Sequence, residues 1–243
     1  MTNLIIDEGN TCIKIAVYES DTLKNLSVVS TDSLEEVLPT FFKSYFISNV
    51  ILSSVGGLVE IIKDLIPLEI PLLLLSNQTK VPFDNLYTSP TTLGVDRIAL
   101  VSAATERYPL KNVLIIDVGT CVTYDFINAQ NKYLGGAIAP GILMRYKALS
   151  TFTAKLPKLS FEVPETIIGT NTQSSIHSGV VNGIQFEIDG FISAYQQKHS
   201  DLTVVLTGGD SIYLSKRLKN SIFAHPNFLL EGLNTILKYN IHE

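Results

Sequence analysis

The sequence predicts an α/β fold made of two similar halves, and three observations carry that expectation. The stretch Ile5-Ile6-Asp7-Glu8-Gly9-Asn10-Thr11-Cys12-Ile13-Lys14 returns in altered form as Ile115-Ile116-Asp117-Val118-Gly119-Thr120-Cys121-Val122-Thr123, with Asp117 on Asp7 and Gly119 on Gly9 at one common offset. Each copy is an apolar run ending in Asp, then x-Gly-Asn/Thr, then a second apolar strand, which describes a hairpin with an acid at its turn. After each copy the pattern runs to a third strand and then alternates helix and strand. The halves are expected at 1–111 and 112–243, closely packed, with a cleft between them and no Pro- or Ser-rich linker.

The elements follow in order. Strands are expected near 3–8, 11–19 and 25–30. Ser33-x-x-Glu36 has capping-box spacing and should start a helix running from Leu34 towards Tyr45, with Leu34, Val37, Leu38 and Phe41 as its apolar stripe. Val50-Ile51-Leu52-Ser53 reads as a short buried strand, Gly56-Gly57 lead into a helix ending before Pro67, and Leu72 to Leu75 read as another buried strand of a parallel sheet. The second half repeats this with strands at Val113–Val118, Cys121–Asn128 and Tyr133–Ala139. Thr203–Leu206 is a late parallel strand. Phe228–Asn240 is an amphipathic closing helix with Leu229, Leu233, Ile236 and Leu237 on one side.

Composition sets limits on function. The 243 residues are 46% hydrophobic with a mean hydropathy of +0.27, which fits an ordered globular chain. Lys and Arg number 18 against 23 Asp and Glu, a net charge of −5, and no basic cluster runs along the chain, so nucleic-acid binding is not expected. The run Ile70-Pro71-Leu72-Leu73-Leu74-Leu75 is too short to span a bilayer, and the start lacks a basic signal-peptide region, so no membrane and a cytoplasmic location are expected. Cys12 and Cys121 could pair or ligate metal, but the preferred reading is two small buried hydrophobes.

The chemistry should sit at the turns. Backbone N–H groups at Gly9, Asn10 and Thr11 can face phosphate oxygens, Asp7 can hold magnesium directly or through water, and Lys14 can offset phosphate charge. Asp117, Thr120 and Asp125 make the polar set of the second hairpin. Asp96, in Leu93-Gly94-Val95-Asp96-Arg97, falls in a first helical turn, where the dipole favours its ionised form. Such a weak base suits phosphoryl transfer, whose loose transition state asks a base mainly to orient the hydroxyl, and Arg97 beside it can grip a carboxylate or phosphate. Gly135 to Gly141 should end a strand in a tight turn and open a helix, and Thr207-Gly208-Gly209-Asp210 leaves room for a base or ribose. His177, His199, His225 and His242 have no metal-ligand spacing and are expected on the surface or on helices.

With these residues in hand, the chain resembles the type III pantothenate kinases, bacterial enzymes of the sugar kinase, heat-shock ATPase and actin superfamily. Asp7 to Lys14 match D-x-G-N-[ST]-x-x-K. Tyr87, Pro90, Gly94, Asp96 and Arg97 match Y-x-x-P-x-x-x-G-x-D-R. Asp117 to Thr123 match D-x-G-T-A-x-T, Gly135 to Gly141 match G-G-x-I-x-P-G, and Thr207 to Asp210 match T-G-G-D. The resemblance implies a duplicated ribonuclease H-like (actin-like ATPase) fold with a nucleotide cleft between two similar halves. It implies ATP-dependent phosphorylation of pantothenate, the first step of coenzyme A synthesis.

Residue by residue, the resemblance places Asp7, Glu8, Gly9, Asn10, Thr11, Cys12, Ile13, Lys14 and Thr120 on ATP. It makes Asp96 the acceptor of the hydroxyl proton, and lines the pantothenate pocket with Tyr87, Gly94, Val95, Arg97 and Thr172. It gives Asp117 a monovalent cation, potassium or ammonium, beside the Mg2+ or other divalent cation that accompanies ATP, and it implies a homodimer. Val95 and Cys121 stand where alanine is usual, and Glu8 adds an acid whose carboxylate is expected to point outward. Two other readings stay open: a kinase or phosphohydrolase of another small hydroxy acid, and a non-catalytic accessory protein of the same fold.

Overall fold

The computed structural model describes residues 1–241 and divides the chain into two compact units. The first holds Met1–Pro109, Asn131–Tyr133 and the chain from Phe228 onward; the second holds Leu110–Gln130 and Leu134–Asn227.

In the first unit, β1 (Thr2–Glu8), β2 (Ile13–Glu19) and β3 (Thr22–Val29) form an antiparallel meander. Helix α1 (Leu34–Ser44) follows, then β4 (Asn49–Ser54), α2 (Val59–Asp64) and β5 (Leu72–Leu74), the two strands running parallel to β1. The strand order is β3-β2-β1-β4-β5. The apolar runs of β1 and β4 are buried on both faces, as central strands with parallel neighbours require. On one face Leu4, Ile6, Val50 and Leu52 pack against Leu34, Leu38 and Phe41 of α1 and Ile62 of α2. After the two-residue β6 (Asp84–Asn85) comes α3 (Val95–Arg107), which packs against the closing helix α7 (Phe228–Ile241) so tightly that a side chain on Gly232 would overlap the Ala99 carbonyl.

The second unit repeats the plan. It contains β7 (Val113–Val118), β8 (Cys121–Ile127), β9 (Lys132–Pro140), α4 (Ile142–Phe152), α5 (Thr172–Gln196), β10 (Thr203–Thr207), α6 (Ser211–Ser215) and β11 (Phe223–Ala224). Its five strands run in the order β9-β8-β7-β10-β11, the same order as the first sheet, and the short β6 adds a sixth strand at the β9 edge. Residues 131–133, which open β9, belong with the first unit, where Lys132 and Tyr133 pair with β6. Leu114, Ile116 and Val118 pack against Ile142 and Tyr146 of α4 and Ile184 and Ile188 of α5. No described helix is long and apolar enough to cross a membrane.

Several local expectations are corrected. Ser33 does not cap α1: it ends a 3-10 turn with helical backbone angles, so its hydroxyl pairs with Ser30 at 2.6 Å instead of reaching the helix N–H groups. The capping box belongs to α5, where Asn171 and Ser174 satisfy each other's backbone N–H. Strand β5 is parallel as expected but not buried; it pairs only with β4 and leaves Leu74 39% exposed. Gly135 and Gly136 do lie in the strand expected at Tyr133–Ala139, where a side chain on Gly136 would overlap the Tyr124 carbonyl of the neighbouring strand, and the stretch passes from strand to helix at Gly141 as expected.

Candidate active site

In the first unit, Asp7 is the next-to-last residue of β1, opposite Lys14 on β2 and Ser53 on β4. The hairpin closes by Gly9 N–H to the Cys12 carbonyl at 3.1 Å, leaving Asn10 and Thr11 exposed at its tip. Cys12 is free and only half-buried, so it sits in the turn rather than in the core. Burial raises the Asp7 carboxyl to about 6; Lys14 and Ser53 pull it back, while the nearby charges of Asp96 and Glu8 push it further up. Asp7, Lys14, Ser53 and Asp96 are thus gathered in one electrostatic neighbourhood.

Glu8 reverses the outward expectation. Its side chain is 4% exposed; Oε2 accepts from Ser54 Oγ at 2.5 Å and Oε1 from the Leu58 N–H at 3.2 Å, while its carbonyl accepts from Val55 N–H at 3.1 Å. The carboxylate buckles the 54–58 loop to the end of β1, and it occupies the space a side chain on Gly56 would need. The exposed tip of the turn is therefore free of the Glu8 carboxylate.

Helix α3 starts at Gly94, its N-cap. Asp96 lies in the first turn, partly buried, and its Oδ1 accepts the N–H of Arg97 at 2.8 Å. Arg97 is 5% exposed, with its guanidinium 5.5 Å above the Tyr87 ring. Tyr87 in turn stacks on Tyr133 with centroids 6.0 Å apart, and Phe83 packs edge-on against Tyr133. Sequence reasoning missed Tyr133 and Phe83. The only hint was an aromatic at the start of a strand, which reads equally as ordinary packing.

In the second unit, Asp117 stands opposite Thr123 on β8 and Thr207 on β10, the counterparts of Lys14 and Ser53. This turn is one residue shorter: Gly119 N–H reaches the Cys121 carbonyl at 2.9 Å, with Thr120 exposed at the tip. Cys121 is free and half-buried. Gly141 presses against this turn, its N–H donating to the Thr120 carbonyl at 3.0 Å and its α-carbon so close that a side chain would overlap both the Gly119 and Thr120 carbonyls. Gly208, at φ +92°, backs onto Asp117 Oδ1 and the Val118 carbonyl, a position only glycine holds without strain. Asp210 closes the same corner by donating its N–H to the Val118 carbonyl at 3.1 Å, and burial raises its carboxyl.

Asp125, the third member of the polar set expected in the second hairpin, lies on β8 away from the turn. It is fully buried and lies two residues further along β8, opposite Ile115. Thr172 is the exposed first residue of α5 and belongs to the second unit. His177 is buried on α5, paired with Tyr146 Oη at 2.8 Å, and His242 lies outside the described residues.

A test of ligand fit comes from the turn glycines. A side chain on Gly119 would meet nothing within 4 Å among the described residues, and one on Gly9 would meet only an ordinary contact with the Cys12 carbonyl. The space over both turns is open, as an approaching phosphate requires. Asp7, partly exposed and ionised above pH 6, suits a hydrated divalent cation, and the carboxylate of Asp117 beside the Gly208 corner suits a cation held by oxygen. Among the described residues no group of three or more His, Cys, Asp or Glu could hold a metal ion.

Two sheets that share one five-strand order, each with an acid-glycine hairpin at the end of its first strand, define the actin-like ATPase class, to which sugar kinases belong. Solved structures agree on the fold. A protein of the Baf family from Campylobacter jejuni matches with a TM-score of 0.66 at 22% identity, covering 99% of this chain and 100% of that one. A glucokinase from an Antarctic psychrotroph matches with a TM-score of 0.54 at 10% identity, covering 98% and 99%. The family model of type III pantothenate kinase matches residues 3–194. The type III pantothenate kinase of Christiangramia forsetii is 49% identical over 98% of both chains, and that of Phocaeicola vulgatus is 44% identical over the same shares. The chain belongs to the type III pantothenate kinase family.

Proposed function

We propose that this protein transfers the γ-phosphoryl group of ATP to the primary hydroxyl of pantothenate, giving ADP and 4'-phosphopantothenate for coenzyme A synthesis in the cytoplasm. Family membership along nearly the whole chain supports the acceptor. The observation that carries the chemistry is the pairing, within one unit, of the open Asp7 turn with Asp96 close enough to act on its titration. Asp7, Gly9, Asn10, Thr11, Cys12, Ile13 and Lys14 contact ATP from the first hairpin and Thr120 from the second. Glu8 contributes its backbone while its carboxylate braces the loop.

Asp96 accepts the proton of the attacking hydroxyl. One Asp96 oxygen is fixed by the Arg97 N–H, which aims the other. Arg97, held over Tyr87, binds the pantothenate carboxylate, and Gly94 and Val95 line the pocket beside it. A divalent cation at Asp7 and a monovalent one, potassium or ammonium, at Asp117 supply charge neutralisation for the phosphates when bound. Exposed apolar side chains on the second unit, among them Leu134, Ile138, Leu143 and Phe186, support a homodimer.

The test is ADP release from ATP with magnesium, potassium and pantothenate, against the same mixture with small sugars as acceptors. Turnover confined to pantothenate is expected. Equal silence with every acceptor would overturn the assignment.

A further inference from the structure

Helix α4 begins one residue beyond Gly141, and Arg145 stands on its first turn. Arg145 Nε donates to the Pro140 carbonyl at 2.8 Å, and Nη2 donates to Glu187 Oε2 at 2.7 Å. The other oxygen of Glu187 accepts from the Tyr124 hydroxyl at 3.0 Å. The Tyr124 ring is fully buried and stacks on Phe191 with centroids 4.0 Å apart. Both members of the ion pair are mostly covered, with 19% and 27% of their side chains exposed. Such a pair is screened far less than a surface one. The Pro140 peptide is thus tied through Arg145 and Glu187 to the core of the second unit.

The next residue carries that tie to the turn. Gly141 holds the Thr120 carbonyl at 3.0 Å, with no space between its α-carbon and the Gly119 and Thr120 carbonyls. Movement of the Pro140–Gly141 peptide therefore moves Thr120. A guanidinium can span a carbonyl and a carboxylate at once; a Lys ammonium is a point charge and cannot fix both.

We propose that Arg145, braced by Glu187 and Tyr124, is a positioning residue that sets the Thr120 turn for the phosphates of the nucleotide. The brace matters for catalysis because Thr120 contacts ATP, as proposed above. Loss of Arg145 lets the turn drift, and displacements on the ångström scale at a phosphate cradle are costly.

The test compares R145M, R145K and E187Q with wild type in the full-length protein. Calorimetric ATP affinity with magnesium, separate KM values for ATP and pantothenate, and Tm are measured. R145M should weaken ATP affinity and raise the ATP KM by about tenfold while leaving the pantothenate KM unchanged. R145K should recover part of that loss, and E187Q should follow R145M. A lower Tm with wild-type ATP affinity would reduce Arg145 to a strut between helices and overturn the proposal. Should R145M not fold, wild-type ATP affinity in both R145K and E187Q would overturn it equally. A wild-type chain that binds ATP without phosphorylating pantothenate overturns the acceptor assignment and leaves this comparison of ATP affinities in force.

Discussion

Asp96 owes its orientation to Gly94: the carboxylate oxygen that accepts the Arg97 N–H lies where a side chain on Gly94 would have to go. Spacing that reads in the sequence as G-x-D-R is therefore a steric relationship. Gly94→Ala should push the flexible carboxylate off the Arg97 N–H and lower kcat by roughly 10- to 100-fold, the scale of a misplaced catalytic group. Helix α3 should remain, since its apolar face is untouched. Steady-state kinetics alongside circular dichroism would check this; an unchanged kcat would detach Asp96 orientation from turnover.

Asp96→Asn keeps the shape and the Arg97 N–H bond but cannot take a proton. Transfer should fall by about 10²- to 10⁴-fold with ATP affinity retained, as measured by calorimetry and ADP release.

Asp7 sets a pH dependence. Its folded pKa, about 6, lies above the ordinary 3.8, because burial outweighs Lys14 and Ser53. The folded state therefore binds the proton more readily than the unfolded one, and stability falls as pH rises from about 4 through 6. The gap corresponds to at most about 3 kcal/mol, reduced by partial exposure. Asp7→Asn should raise Tm at pH 8, leave it unchanged at pH 4, and abolish kinase activity at both. In the wild type, kcat/KM for ATP should drop as pH falls through 6. A Tm gain independent of pH would contradict the burial of this charge.

Glu8 and Gly56 form one device. Glu8→Ala leaves the Leu58 N–H and the Ser54 hydroxyl without their carboxylate, a loss of about 1–3 kcal/mol. Gly56→Ala should cost about the same by displacing the carboxylate, and the double variant should cost little more than either single one. Denaturant midpoints of the three variants would show this; additive losses would mean that the two residues act separately.

Much of this architecture could be read in advance, for identifiable reasons. The two hairpins were visible because an acid and a glycine interrupt apolar runs in the same order twice, and the observed registers of Asp7 and Asp117 agree strand for strand. The start of α3 was visible because Gly94 and Asp96 are both helix-start chemistry. Glu8 was not. Asn3 to Ile6 of β1 are buried on both faces, so alternation carries no information about which way its carboxylate turns, and its partners lie in a loop far along the chain. The reason for Gly136 was hidden as well: the strand passes too close to the Tyr124 carbonyl of its neighbour to carry a side chain, a fact of packing between strands. The Arg145–Glu187 pair joins two helices that no local pattern connects.

Helix α7 completes the first unit from the far end of the chain, lying on α3, β1 and β4. During synthesis, residues 1–109 must wait for residues 228–241 before that layer is in place, while the whole of residues 134–227 is translated in between. Premature termination ahead of Phe228 would thus expose the Ala99 side of the opening half rather than trim a dispensable tail, and quality control by chaperones or proteases would see that uncovered face.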